Sequence, residues 1–134
     1  MEKNARAAPA VAILHMDDDP EMREITSLLL EHKGHHVVSC CNVDEAVAAF
    51  REHLAQGSRF DLVVLDLSIP GQKGGVEGMR EILAIDPEAK IVACSGAGLS
   101  ELENLDRGFI GFIEKPFTAK DLDALTDLLF LPPG

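Results

Sequence analysis

The sequence predicts an α/β domain built on a parallel sheet whose two faces are both covered by helices. Two observations lead there. Five apolar runs of strand length alternate strictly with segments that carry helical spacing. The runs are also apolar at nearly every position, where a half-exposed strand would alternate apolar with polar. A chain of 134 residues with 46% hydrophobic content is the size of one domain and long enough to bury one core.

The elements follow in order. Residues 1–9 read as a flexible arm rich in Ala and charge, and residues 10–131 as the domain. Val11 to Met16 form the first apolar run. Asp19 before Pro20 is an N-cap signal for a helix carrying Met22, Ile25 and Leu29, which Gly34 stops. The second run is His36 to Cys40. Asn42, three residues before Glu45, then opens a helix with Ala46, Val47, Phe50 and Leu54, closed at Gly57. Leu62 to Leu65 is the third run, followed by helical spacing at Val76, Met79 and Leu83 and a stop at Pro87. Lys90 to Cys94 is the fourth. Between Gly96 and Gly108, Leu99, Leu102 and Leu105 predict only about two helical turns. Phe109 to Ile113 is the fifth run. Thr118, three before Asp121, starts a last helix with Leu122, Leu125 and Leu129, and residues 132–134 form a short tail after Leu131.

Composition excludes several functions. A formal charge of −11, from 23 acidic against 12 basic residues, argues against nucleic acid as a partner, which calls for a clustered basic face. No stretch approaches the roughly 18 apolar residues of a membrane span. The cysteines Cys40, Cys41 and Cys94 are odd in number and sit in apolar runs, so neither a disulfide framework nor a four-ligand zinc site is expected, and a reducing cytoplasm fits. Cys40 and Cys41 are expected on opposite faces of a strand. His32, His35 and His36 lack a companion ligand set and read as surface or helix-end residues.

In open parallel sheets, ligands bind beyond the carboxyl ends of the strands. Asp17-Asp18-Asp19 stands after strand one, Asp66 after strand three, Ser95 after strand four and Lys115 after strand five. Each alone has a plain reading as a cap, a turn or a loop residue. Their joint arrival on one edge points to chemistry. Converging carboxylates repel, and a divalent cation is the natural compensation; an oxygen-only donor set selects Mg²⁺, Mn²⁺ or Ca²⁺. A carboxylate beside such a cation can attack phosphorus, with a lysine and a hydroxyl spreading the charge on the transferred oxygens. Lys115 and Ser95 suit that task.

These motifs resemble the receiver domains of bacterial response regulators, from Val11 to Leu131. The resemblance rests on Asp17-Asp18, on Asp66 within Phe60-Asp-Leu-Val-Val-Leu-Asp-Leu-Ser-Ile-Pro70-Gly71, on Ser95, and on Lys115-Pro116-Phe117. It implies a flavodoxin-like, doubly wound (βα)5 sandwich with strand order 2-1-3-4-5. It further implies that Asp66 is the phosphoacceptor, and that Mg²⁺ is held by Asp18 and Asp66 directly, by Asp17 through water and by the carbonyl of Ser68. Lys115 and Ser95 would bind the phosphoryl group, and Ser95 with Phe112 would form the switch; Phe109, Phe112 and Phe117 also read simply as core or helix-covering residues. The Lys115-Pro116 bond would be cis. The implied role is a signalling phosphoacceptor rather than an enzyme. Its partners would be a sensor histidine kinase or a histidine phosphotransfer protein upstream and a protein target downstream.

The chain departs from the family pattern in three places: the loop Gly71-Gln-Lys-Gly-Gly75 is one residue longer than the common one, the fourth helical region is short, and His15-Met16 replaces two small aliphatics. The glycine-rich loop, Ser95-Gly96 and Gly108-Phe-Ile-Gly-Phe112 resemble receivers attached to hybrid sensor kinases. Three other readings compete with this one. A Mg²⁺-dependent phosphohydrolase with an aspartyl-phosphate intermediate would carry a second Asp two residues after the nucleophile, where Ser68 stands. A flavin-binding module would need a hydroxyl-rich loop in place of three aspartates, and an interaction module without phosphotransfer would have no use for the full acidic set.

Overall fold

The structure, a computed structural model, describes residues 10–67, 74–95, 108–115 and 118–127. Their order is β1 (Ala12–Met16), α1 (Pro20–His32), β2 (His36–Cys40), α2 (Val43–Ala55), β3 (Leu62–Asp66), α3 (Gly75–Ile85), β4 (Ile91–Ser95), β5 (Gly111–Glu114) and α4 (Ala119–Asp127). All five strands are parallel, in the order β2-β1-β3-β4-β5. This is the doubly wound sandwich expected from the sequence. The chain leaves β1 towards one edge and returns from β2 across it to β3, so the switch point lies between the carboxyl ends of β1 and β3.

Strand parity divides the core in two. Leu14 and Met16 of β1, Val63 and Leu65 of β3 and Ile91 of β4 pack with Val43, Ala46, Val47 and Phe50 of α2 and Met79 and Ile82 of α3. The alternate residues Ile13, Leu62, Val64, Val92 and Cys94 face Leu30 of α1 and Leu122 of α4. Every β3 and β4 residue is buried, which explains why these runs show no polar alternation.

Local signals act where the sequence places them. Asp19 Oδ1 accepts the Glu21 N–H at 3.0 Å, Asn42 Oδ1 accepts the Glu45 N–H at 2.8 Å, and Thr118 and Asp121 form a reciprocal capping box. Helices α1 and α2 end alike. Gly34 and Gly57 adopt φ of +96° and +82°, and the next residue donates five residues back, from His35 to the Leu30 carbonyl and from Ser58 to that of His53.

Several boundaries differ from expectation. β3 and β4 keep Asp66 and Ser95 inside the ladder, because backbone pairing is indifferent to side-chain polarity. β5 begins at Gly111 rather than Phe109, with the Ile110 N–H already bonded to the Ile91 carbonyl. Cys41 lies beyond β2, where its N–H and thiol both reach Glu45 Oε1, so only Cys40 joins the core. The turns expected between Gly96 and Gly108, the arm at residues 1–9 and the tail lie outside the described residues. Among the described residues, no helix is long and apolar enough to cross a membrane.

His35 is buried rather than a surface residue. It follows the α1 turn, and its Nδ1 accepts the Val11 N–H at 3.1 Å, tying the entrance of β1 to that turn. Burial lowers its pKa below 6.5, with Lys33 acting the same way and Asp123 opposing. The neutral ring is the folded form, so the unfolded chain binds the proton more readily. Stability from this group is complete above about pH 6.5 and is lost as pH falls towards the folded pKa. Urea melts at pH 7.5 and 5.5 should show a drop that is smaller in His35→Gln, whose carbonyl oxygen can accept the same bond without titrating.

Candidate functional site

Residues from the ends of β1, β3, β4 and β5 converge at the switch point. Asp17, one residue beyond β1, is fully buried. Its N–H donates to the Cys40 carbonyl at 3.1 Å, its Oδ1 accepts the Asp19 N–H at 2.9 Å, and its carbonyl accepts Arg23 Nη1 at 2.8 Å. Asp18 is exposed. Asp66 ends β3 and is 2% exposed; the next residue, Leu67, donates its N–H to the Cys94 carbonyl at 2.9 Å. Ser95 ends β4, buried, and its carbonyl accepts the Lys115 N–H at 2.8 Å, which ties the end of β5 to the same edge.

The geometry closes on one lysine. Lys115 Nζ lies 2.8 Å from Asp17 Oδ2 and 2.8 Å from Asp66 Oδ2. Burial opposes the ammonium charge, but hydrogen bonds to Asp17 and Asp66, together with their fields, outweigh it and hold the pKa well above the ordinary lysine value. Lys115 is a permanent cation here.

Oxygens of Asp17, Asp18 and Asp66 lie within 4.8 Å of one another. Two of the three carboxylates are buried, and the donor set is oxygen only, so the residues fit a hard divalent cation. The approach to the site from α3 is tight. A Cβ on Gly75 would come 2.8 Å from the Asp66 carbonyl oxygen, and one on Gly74 would come 2.4 Å from that of Leu67. Glycine lets the chain pass directly beneath the carboxylate-bearing strand end.

Thus Asp17, Asp18, Asp66, Ser95 and Lys115 stand on one edge. Phe112, on β5, is 41% exposed, with its ring 6.0 Å from that of Phe109; it is not a core residue. Ser68, Phe117 and Pro116, with the expected cis bond, lie outside the described residues.

One neighbour escaped the sequence reading, and a second was noted there without a role. Arg23 braces Asp17 from the first turn of α1, and its only signal was an arginine one turn beyond an acidic triplet. His15, two residues before Asp17, is fully buried, with neither ring nitrogen hydrogen-bonded among the described residues. Burial lowers its pKa to about 4; Asp17 opposes this, and Lys115 and Arg23 add to it. A buried polar group without a partner costs on the order of 1–3 kcal/mol. His15→Leu is therefore expected to stabilise the metal-free protein by about 1–2 kcal/mol, read as a higher urea midpoint. A lower midpoint would mean that the imidazole contributes bonding or packing that leucine cannot replace.

Comparison with known proteins gives a consistent result. A family model described as the response regulator receiver domain matches residues 13–127. The chemotaxis protein CheY of Thermotoga maritima is 32% identical over 108 residues, covering 78% of this chain and 85% of the relative. The transcriptional activator protein PfeR of Pseudomonas aeruginosa is 30% identical over 123 residues, 90% of this chain but only 38% of that protein. Among solved structures, the response regulator protein TrrA of Thermotoga maritima, in complex with Mg²⁺-BeF, superimposes with a TM-score of 0.75 at 26% identity, covering 89% of this chain and 98% of that one.

Proposed function

The chain belongs to the response regulator receiver domain family, and from that premise we propose that it is a signalling phosphoacceptor that takes a phosphoryl group onto Asp66. The observation that carries this reading is the position of Lys115, whose ammonium bridges Asp66 to Asp17 at 2.8 Å on each side. In the proposed step an Asp66 carboxylate oxygen attacks phosphorus. The new O–P bond forms as the bond from phosphorus to the donor's imidazole nitrogen breaks, and that nitrogen keeps the electron pair and takes up a proton. Lys115 stabilises charge on the transferred oxygens, and the Ser95 hydroxyl offers a further donor.

Asp18 and Asp66, with Asp17 through water and the Ser68 carbonyl, are the proposed Mg²⁺ ligands. When bound, the ion would neutralise the clustered carboxylates and the incoming phosphoryl oxygens. The proposed donor is a sensor histidine kinase or a histidine phosphotransfer protein. The proposed output is a protein-binding surface that responds through Ser95 and Phe112, whose ring is exposed and would turn inward on phosphorylation. The domain is taken to span residues 10–131, and its place is taken to be the cytoplasm.

Incubation with Mg²⁺ and acetyl phosphate should produce one phosphoryl adduct per chain, detected by intact-mass spectrometry and mapped to the peptide containing Asp66. Sustained turnover of a phosphate ester such as p-nitrophenyl phosphate would favour the phosphohydrolase instead.

A further inference from the structure

We propose that Arg23 is a positioning residue for the divalent-cation site, acting through the backbone of Asp17; the inference rests on the phosphoacceptor reading given above. Asp17 stands one residue past the end of β1, so its carbonyl has left the strand. Arg23 holds that carbonyl at 2.8 Å from α1, one turn into the helix that Asp19 caps. The brace therefore joins the strand end to the helix body across the acidic turn.

What it controls is the peptide plane between Asp17 and Asp18. Asp17 is already held by its own amide on Cys40, by the Asp19 amide on Oδ1 and by Lys115 on Oδ2. Asp18, by contrast, is exposed, and no hydrogen bond or ion pair of its side chain to a described residue is present. The direction of its carboxylate is set by the peptide that precedes it, and Arg23 fixes that peptide. A planar guanidinium donating to a carbonyl is well suited to this, because a charge-assisted bond resists rotation better than a neutral one.

The plain alternative makes Arg23 only a positive charge near an acidic cluster. The two accounts differ in sign. As a mere charge, Arg23 competes with a cation, and its removal would tighten Mg²⁺ binding. As a brace, its removal lets Asp18 wander and weakens binding.

The experiment is Mg²⁺ titration of the whole chain by isothermal calorimetry, for the wild type, Arg23→Met and Arg23→Lys. Methionine keeps most of the aliphatic stem but removes the donor; lysine keeps the charge and a donating group without the planar fork. The dissociation constant should rise about 5- to 10-fold in Arg23→Met, the equivalent of one ordinary hydrogen bond, while Arg23→Lys should stay within about 2-fold of the wild type. The metal-free Tm should be unchanged in Arg23→Lys, so that a folding defect in Arg23→Met alone would not be mistaken for the effect. The rate of phosphorylation by acetyl phosphate should fall in Arg23→Met at low Mg²⁺ and recover at saturating Mg²⁺. Unchanged or tighter Mg²⁺ binding in Arg23→Met would overturn the positioning role. A wild-type chain that binds no Mg²⁺ would overturn the phosphoacceptor reading itself, and the inference with it.

Discussion

Asp66→Asn is expected to abolish the phosphoryl adduct completely under conditions that fully label the wild type. An amide keeps the shape of the side chain but lacks the anionic oxygen that attacks phosphorus. The fold should survive, since Asp66 contributes its backbone to β3 independently of its carboxylate. Removing one of three clustered carboxylates should also weaken Mg²⁺ binding, by on the order of 10-fold, because affinity for a hard cation follows the number of charged ligands. Intact-mass spectrometry and calorimetric titration read the two effects separately. An adduct that persists in Asp66→Asn would place the acceptor elsewhere.

Lys115→Met should produce three changes that do not share a sign. Without the ammonium, the buried carboxylates of Asp17 and Asp66 face each other uncompensated, and the metal-free protein should lose about 2 kcal/mol. Breaking a buried ion pair costs on the order of 3–5 kcal/mol, discounted here because Lys115 keeps some contact with solvent. Phosphorylation at saturating Mg²⁺ should slow by about 100- to 1000-fold, the scale of losing one preorganised donor to the transferred oxygens. Mg²⁺ binding should nevertheless become tighter, since the resident cation that competes for Asp17 and Asp66 is gone. A variant slower in phosphorylation yet also weaker for Mg²⁺ would show that Lys115 mainly orders the carboxylates rather than neutralising them.

Much of this architecture is legible from the chain. Apolar runs, helical spacing, N-caps at Asp19, Asn42 and Thr118 and stops at Gly34 and Gly57 reflect local physics, and together they recover the described elements to within a few residues. The candidate site is legible in part because charged residues at strand ends stand out against apolar runs. Periodicity cannot show register, however. Asp66 and Ser95 look like the first residues after a strand, whereas each pairs within one. Nor does spacing report contacts made through space. His35 resembles the exposed histidines beside it, but its tie to Val11 spans 24 residues of chain, and Arg23 looks like an ordinary polar-face residue of α1 until its bond to Asp17 is seen.

The placement of Asp66 inside β3 also bears on amide hydrogen exchange. β3 is the central strand, flanked by β1 and β4, and the Leu67 amide is bonded to the Cys94 carbonyl. Amides here should exchange with deuterium only when the whole sheet opens, while those of the acidic turn exchange through local fraying. The proposed acceptor is thus carried by backbone expected to be among the slowest to exchange of the described residues. A signal that starts at Asp66 has to leave through side chains and loops, and deuterium uptake before and after phosphorylation should differ around that strand rather than within it.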